Sequence, residues 1–91
     1  PVLPIVDFAY HGLGFGLEED AAGMRALLAA VPEALVAYSC DKNFGVYRDR
    51  VGAFYVKSDN RDHLPVAISN AAALARANWS MPPDHGGAAI R

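Results

Sequence analysis

Two short apolar runs lie on either side of one amphipathic helical pattern, and this alternation restricts the fold more than any other feature. Residues 2–6 (VLPIV) and 34–38 (ALVAY) are apolar and partly β-branched, as buried strands are. Four apolar residues between them recur with helical spacing: Met24, Leu27, Leu28 and Val31. Acidic residues at 18–20 favour a helix start there, and Pro32 ends the helix. The order strand, helix, strand predicts a parallel unit with a right-handed crossover.

The second half of the chain adds a third strand and a second helix. Residues 51–57 (VGAFYVK) form an apolar run, and the polar residues 58–62 form a turn. A helix follows to about residue 77, with Pro65 tolerated in its first turn, and the Pro82-Pro83 pair ends it. We therefore predict an α/β fold with the order β-α-β-β-α.

Composition narrows the class of protein. The 91 residues are 53% hydrophobic and 20% charged, which is typical of one globular domain. A net charge of −2 argues against a nucleic-acid surface or a polybasic membrane surface. A single cysteine, Cys40, excludes an internal disulfide framework and a multi-cysteine zinc site. We expect no metal site, no membrane span and an intracellular location, and the glycines at 12, 14 and 16 do not have a dinucleotide-binding spacing.

Polar residues follow the first two predicted strands. If these strands are parallel, Asp7 and Lys42 emerge at the same carboxyl edge, where open α/β sheets bind ligands. A lysine amine can react with an aldehyde, and an aspartate can pair with a cationic ring nitrogen. Arg50 and Ser39 could hold a phosphate. Together these groups suit pyridoxal 5'-phosphate, although a solvated surface lysine is the alternative from spacing alone.

Three motifs carry a family resemblance. Residues 7–12 (DFAYHG) resemble the D-x-A-Y-x-G segment of the aspartate and aromatic amino acid aminotransferases. Residues 39–52 (SCDKNFGVYRDRVG) resemble the S-x-S-K-N-F-G-L-Y-x-E-R-V-G lysine motif of that family, and residues 76–83 (RANWSMPP) resemble R-x-x-Y-S-N-P-P. The resemblance covers essentially the whole chain. It implies an internal part of the mostly parallel-sheet large domain of a fold-type I aminotransferase, incomplete over residues 1–91.

The resemblance also implies roles for the residues at the sheet edge. Lys42 would hold the cofactor and move the proton between the substrate α-carbon and the cofactor. Asp7 would keep the pyridine nitrogen protonated, and Tyr10 would donate a hydrogen bond to the phenolic oxygen of the cofactor. Ser39 and Arg50 would bind its phosphate.

Substrate binding is implied by a residue in the second helix. Arg76 matches the arginine that, in dicarboxylate-specific members, reaches across a homodimer to the distal carboxylate of the substrate. The substrates would then be an amino acid, either aspartate, glutamate or an aromatic one, and a 2-oxo acid. The resemblance implies a cytoplasmic enzyme of amino acid metabolism and biosynthesis.

The sequence also departs from the family pattern. Asp41 replaces the serine that commonly precedes the lysine, and its carboxylate would lie beside Lys42 or point to solvent. His11, Leu13 and Met81 replace Gln, Phe and Asn. Family members are several times longer, so we expect the isolated chain to fold poorly, dimerise weakly and lack transaminase activity. The alternative function is that of a truncated, non-catalytic α/β fragment or interaction module.

Overall fold

A computed structural model describes residues 2–91, and these residues form a three-stranded mixed sheet with three helices. The elements, in chain order, are β1 (Ile5–Phe8), α1 (Leu17–Ala30), β2 (Glu33–Ser39), β3 (Gly52–Ser58), α2 (His63–Trp79) and α3 (His85–Ile90). The α/β class predicted from the sequence is confirmed.

The sheet has the order β1-β2-β3, with β2 in the centre. β1 runs parallel to β2, with Val6 opposite Val36 and Phe8 opposite Tyr38, as the βαβ prediction requires. β3 runs antiparallel to β2, with Ser39 opposite Gly52. Gly52 lies so close to this partner that an added Cβ would collide with the main-chain oxygen of Tyr38, so the strand end needs a glycine.

The first strand differs from its predicted bounds. The prediction placed it at residues 2–6, but β1 begins at Ile5 and continues through Asp7 to Phe8. Pro4 has no N–H to donate and contributes only its carbonyl oxygen, which accepts a hydrogen bond from Leu35 N at 3.0 Å. Asp7 is therefore a paired strand residue opposite Ala37 rather than the residue that follows the strand.

The third helix was not in the predicted order. α3 is short and contains Gly86 and Gly87, which are poor helix formers, so sequence propensity gives little sign of it. Gly86 is buried, and an added Cβ there would meet side-chain atoms of Val51 and Asp49. Packing against the segment before β3 thus accounts for the position of this helix.

The hydrophobic core of the described residues is small. The buried apolar side chains are Ala21 of α1 and Ala34 and Val36 of β2. Large apolar residues on β3 and α2, such as Phe54 and Leu74, are more than half exposed. None of the three helices in the described part of the chain combines the length and the apolar character needed to cross a bilayer.

Candidate functional site

The carboxyl edge of β1 and β2 brings together three of the predicted site residues. Tyr10 follows β1 by two residues, and Lys42 follows β2 by three. The Lys42 Nζ atom lies 4.9 Å from the centroid of the Tyr10 ring, within the range of a cation–π contact. Asp7 and Tyr10 line one open cavity of about 440 Å³. The amine, the phenol and the carboxylate therefore lie at one edge of the sheet. The parallel pairing predicted this for Asp7 and Lys42, and the family resemblance implied it for Tyr10.

A hydrogen-bond network fixes the loop that carries Lys42. His11 Nε2 lies 2.8 Å from the carbonyl oxygen of Leu17, which can only accept, so Nε2 donates. In the neutral ring Nδ1 then accepts from the Tyr38 hydroxyl at 3.1 Å. That hydroxyl in turn accepts from Asn43 Nδ2 at 3.1 Å. The network joins the loop after β1 to the residue that follows Lys42.

Two further predicted site residues, Ser39 and Arg50, lie between β2 and β3 together with Asp41. Ser39, Asp41 and Arg50 line a cavity of about 210 Å³. Asp41 is only 3% exposed, and its Oδ2 forms an ion pair with Arg50 Nη1. Its Oδ1 accepts from Val51 N at 3.0 Å. The Ser39 hydroxyl oxygen accepts from the main-chain N–H of Asp41 at 3.2 Å.

The position of Asp41 corrects an expectation. The sequence placed its carboxylate beside Lys42 or in solvent, but the carboxylate is buried against Arg50. A buried carboxylate is stable only with partners, and the guanidinium and the Val51 amide supply them. The antiparallel register explains the meeting: Cys40 N donates to Val51 O at 2.9 Å beyond the Ser39–Gly52 pair, so residue 41 comes opposite residue 50. The contact between Asp41 and Arg50 could be predicted only if β3 were known to run antiparallel to β2.

Cys40 lies between the two groups. Burial raises the pKa of its thiol, and the negative charge of neighbouring Asp41 raises it further. The protonated thiol is a weak nucleophile, so this cysteine has the character of a packing residue rather than of a reactive one.

Arg76 lies apart from both groups. It is exposed in the last turn of α2, where its main-chain oxygen accepts from Ser80 N at 3.2 Å. Arg76 lines neither of the two cavities described above. A role at the sheet edge of the same chain is therefore not supported, whereas a role in a second subunit is compatible with its exposure.

The chain is an α/β segment in which a parallel βαβ unit carries a lysine-bearing loop at its carboxyl edge, the edge at which open α/β sheets bind ligands. The family model for "Aminotransferase class I and II" matches residues 1–91. The chain belongs to this family.

Individual relatives agree with this assignment. The chain is 53% identical to tyrosine aminotransferase of Rhizobium meliloti over 99% of its own length, and 47% identical to aspartate aminotransferase of Escherichia coli over 97%. Among solved structures, it is similar to the aromatic-amino-acid aminotransferase of Burkholderia pseudomallei covalently bound to pyridoxal phosphate. The TM-score is 0.90, with 39% identity over 97% of this chain and 22% of that one.

Coverage in the other direction is much lower. The chain spans 23% of the Rhizobium protein and 22% of the Escherichia coli protein, or about a fifth of the length of these relatives.

Proposed function

We propose that this chain is the cofactor-lysine segment of a longer, pyridoxal-phosphate-dependent aminotransferase. The enzyme would move an amino group from an amino acid to a 2-oxo acid. The observation that carries the proposal is the placement of the Lys42 amine 4.9 Å from the Tyr10 ring, at the edge that Asp7 shares. When bound, pyridoxal phosphate supplies an aldehyde and an electron-withdrawing ring.

Lys42 is the proposed catalytic residue. Its amine would condense with the aldehyde, releasing water, and would later take and return the proton at the substrate α-carbon. The only other lysine, Lys57, is unsuited to this role. Its Nζ donates to the Val31 oxygen at 2.5 Å and pairs with Asp59 at 2.7 Å, so it fastens the end of α1 to β3.

The ring end of the site fits the cofactor. Asp7 projects from the paired part of β1, where a carboxylate can hold a proton on the ring nitrogen. Tyr10 is 67% exposed, so its hydroxyl is accessible to the phenolic oxygen of the cofactor. These two residues would orient the ring and stabilise the negative charge that develops when the α-proton leaves.

The phosphate end fits in part. Ser39 and Arg50 supply a hydroxyl and a guanidinium, the groups that a phosphate requires. Both already contact Asp41 in the chain by itself. Arg50 is the more accessible of the pair, with a side chain 75% exposed against 5% for Asp41, so the outer face of its guanidinium is open to an anion.

The substrate proposal depends on Arg76. In a homodimer, this exposed arginine would bind the distal carboxylate of aspartate or glutamate. An aromatic amino acid remains an alternative substrate, which the similarity to both aspartate and aromatic aminotransferases supports. The proposal includes a cytoplasmic enzyme of amino acid metabolism in which residues 1–91 are an incomplete part of the large, cofactor-binding domain.

Covalent labelling tests the proposal. The full-length protein that contains this chain is mixed with pyridoxal phosphate, reduced with borohydride, digested and mapped by mass spectrometry. We expect the label on Lys42, and loss of the label and of transaminase activity in Lys42→Ala.

Lys57→Ala is the matched control, because it removes the other lysine of the chain and should keep the label. A label on Lys57, or an undiminished label in Lys42→Ala, would refute the role of Lys42.

A further inference from the structure

The phosphate end of the proposed site contains an anion of its own. We propose that Asp41 is an internal counter-anion for Arg50, which competes with the cofactor phosphate and reduces the preference of the protein for pyridoxal phosphate over unphosphorylated pyridoxal. This inference rests on the proposed function, and it concerns only the phosphate half of the site.

The contacts of Asp41 satisfy both of its oxygens. Oδ2 pairs with the Arg50 guanidinium, and Oδ1 accepts from Val51 N at 3.0 Å. The Asp41 side chain is 5% exposed and that of Arg50 is 75% exposed, so solvent reaches the ion pair from the guanidinium side. A phosphate that binds the guanidinium must therefore share it with a charge that is already paired there.

The backbone holds Asp41 in place. Its N–H donates to the Ser39 hydroxyl, and the hydrogen bond from Cys40 N to Val51 O at 2.9 Å continues the β2–β3 ladder up to this residue. If Asp41 swung away, the Val51 amide would lose its partner and Arg50 would lose its counter-charge. An unpaired Val51 amide in this part-buried position is costly, so the carboxylate stays and the incoming phosphate meets a like charge.

The main-chain N–H of Asp41, rather than its carboxylate, contacts Ser39. The Ser39 oxygen accepts from Asp41 N at 3.2 Å, so its hydroxyl proton is left to donate to an acceptor. Ser39 can therefore still bind a phosphate oxygen, whereas the charge of Arg50 is partly neutralised. The Asp41 carboxylate therefore competes with the phosphate for Arg50 and not for Ser39. Pyridoxal has no phosphate, so this competition does not affect its binding.

The ratio of two dissociation constants measures this competition in the wild-type protein. Apo full-length protein is titrated with pyridoxal phosphate and with pyridoxal, and binding is followed by absorbance and by the borohydride-reduced Lys42 peptide. An aminotransferase that has serine before the lysine is measured in parallel. We expect a preference for the phosphorylated form at least tenfold smaller than in that relative. An equal or larger preference overturns the inference.

Asp41→Asn tests the charge itself. Asparagine keeps the size of the side chain and an oxygen that can accept from Val51 N. We expect about tenfold tighter binding of pyridoxal phosphate, the size of effect typical of one hydrogen bond to a charged group, and unchanged binding of pyridoxal.

Asp49→Asn is the matched control, because this substitution changes the net charge by the same amount in the same loop. Asp49 contacts His85 at 2.5 Å rather than Arg50. Equal tightening in both variants, or none in Asp41→Asn, overturns the inference.

The outcomes separate the two proposals. If neither aldehyde labels Lys42, the proposed function fails and the inference fails with it. If both label Lys42 while the ratio in the wild type matches that of the relative, only the inference fails. Should Asp41→Asn not fold, the wild-type ratio still decides.

Discussion

The two lysines of the chain show how surroundings separate residues of one type. Lys57 is held by a carbonyl oxygen and by the Asp59 carboxylate. Within residues 2–91, Lys42 makes no ion pair, and it lies half-buried above the Tyr10 ring. An ammonium fixed by a carboxylate is a poor nucleophile, so Lys57 is unsuited to the role proposed for Lys42, which has no carboxylate partner among the described residues.

The proposed role of Arg76 in substrate binding can be tested with a single substitution. We predict that Arg76→Leu in the full-length enzyme raises KM for aspartate at least tenfold, because one bidentate contact between arginine and carboxylate is lost. KM for an aromatic amino acid should change much less, since its side chain carries no carboxylate. Steady-state kinetics with both substrates provides the measurement.

Arg61→Leu serves as the control for Arg76, because Arg61 is an exposed arginine before the same helix. Equal changes in KM for both substrates would show that Arg76 does not bind the distal carboxylate.

Sequence reasoning reached the site residues unevenly. Lys42 and Asp7 could be placed together because parallel pairing of β1 and β2 follows from the βαβ order, whereas Tyr10 was found only through the family resemblance. The pairing of Asp41 with Arg50 could not, since it depends on the antiparallel register of β3, which no periodicity in the sequence specifies. The network of His11, Tyr38 and Asn43 also depends on the fold.

At the scale of elements, an acidic side chain links the start of α1 to the loop before it. The acidic run at 18–20 predicts a helix start, but it does not predict this contact. Asp20 reaches back to the preceding loop, where its oxygens accept from Gly14 N at 2.8 Å and Phe15 N at 2.9 Å. The hydrogen bond from Phe15 N, with that from Gly14 N, lowers the pKa of the Asp20 carboxyl below its usual 3.8. The loop after β1, which carries Tyr10 and His11, is thereby fixed to the helix.

This contact makes a pH-dependent prediction. A lowered pKa in the folded state means that the ionised carboxylate stabilises the fold above the unfolded pKa, and that this stabilisation is lost as the pH falls through the folded pKa. We expect Asp20→Asn to lower the Tm of the full-length protein at pH 7 and at pH 5. The difference from wild type should shrink as the pH drops below about 4.

Glu19→Gln is the control for Asp20→Asn, because Glu19 is an exposed acid in the same turn. A Tm difference for Asp20→Asn that does not change with pH would show that charge plays no part.

The predicted boundaries of an element are accurate where its apolar pattern ends at a proline, a glycine or a run of acidic residues. β2, β3 and α1 lie within a residue or two of the predicted bounds, because Pro32, the glycines and the acidic run mark their ends. β1 shifted because pairing with β2, and not its own apolar run, sets its end. α3 was not predicted, because its position depends on the packing of Gly86 against Asp49 and Val51.

The whole molecule exposes more surface than its size requires. A compact monomer of 9.7 kDa exposes about 5,100 Å², whereas this chain exposes 6921 Å². Its radius of gyration is 14.5 Å, against about 12 Å for a compact domain of 91 residues. Large apolar side chains are part of this exposed surface: a groove of about 630 Å³ between β3 and α2 is lined by residues such as Phe54, Ile68 and Trp79.

An uncovered sheet and a core of small residues predict weak folding of the 91 residues alone. Parallel α/β sheets are normally covered on both faces, and burial of apolar area supplies most of the stability. We therefore expect the isolated chain to unfold in urea over a broad, shallow transition, to dimerise only weakly and to show no transaminase activity. Circular dichroism against urea, with the full-length protein in parallel, provides the measurement. A sharp single transition at a midpoint independent of protein concentration would show instead that the segment folds by itself, as a separate interaction module requires.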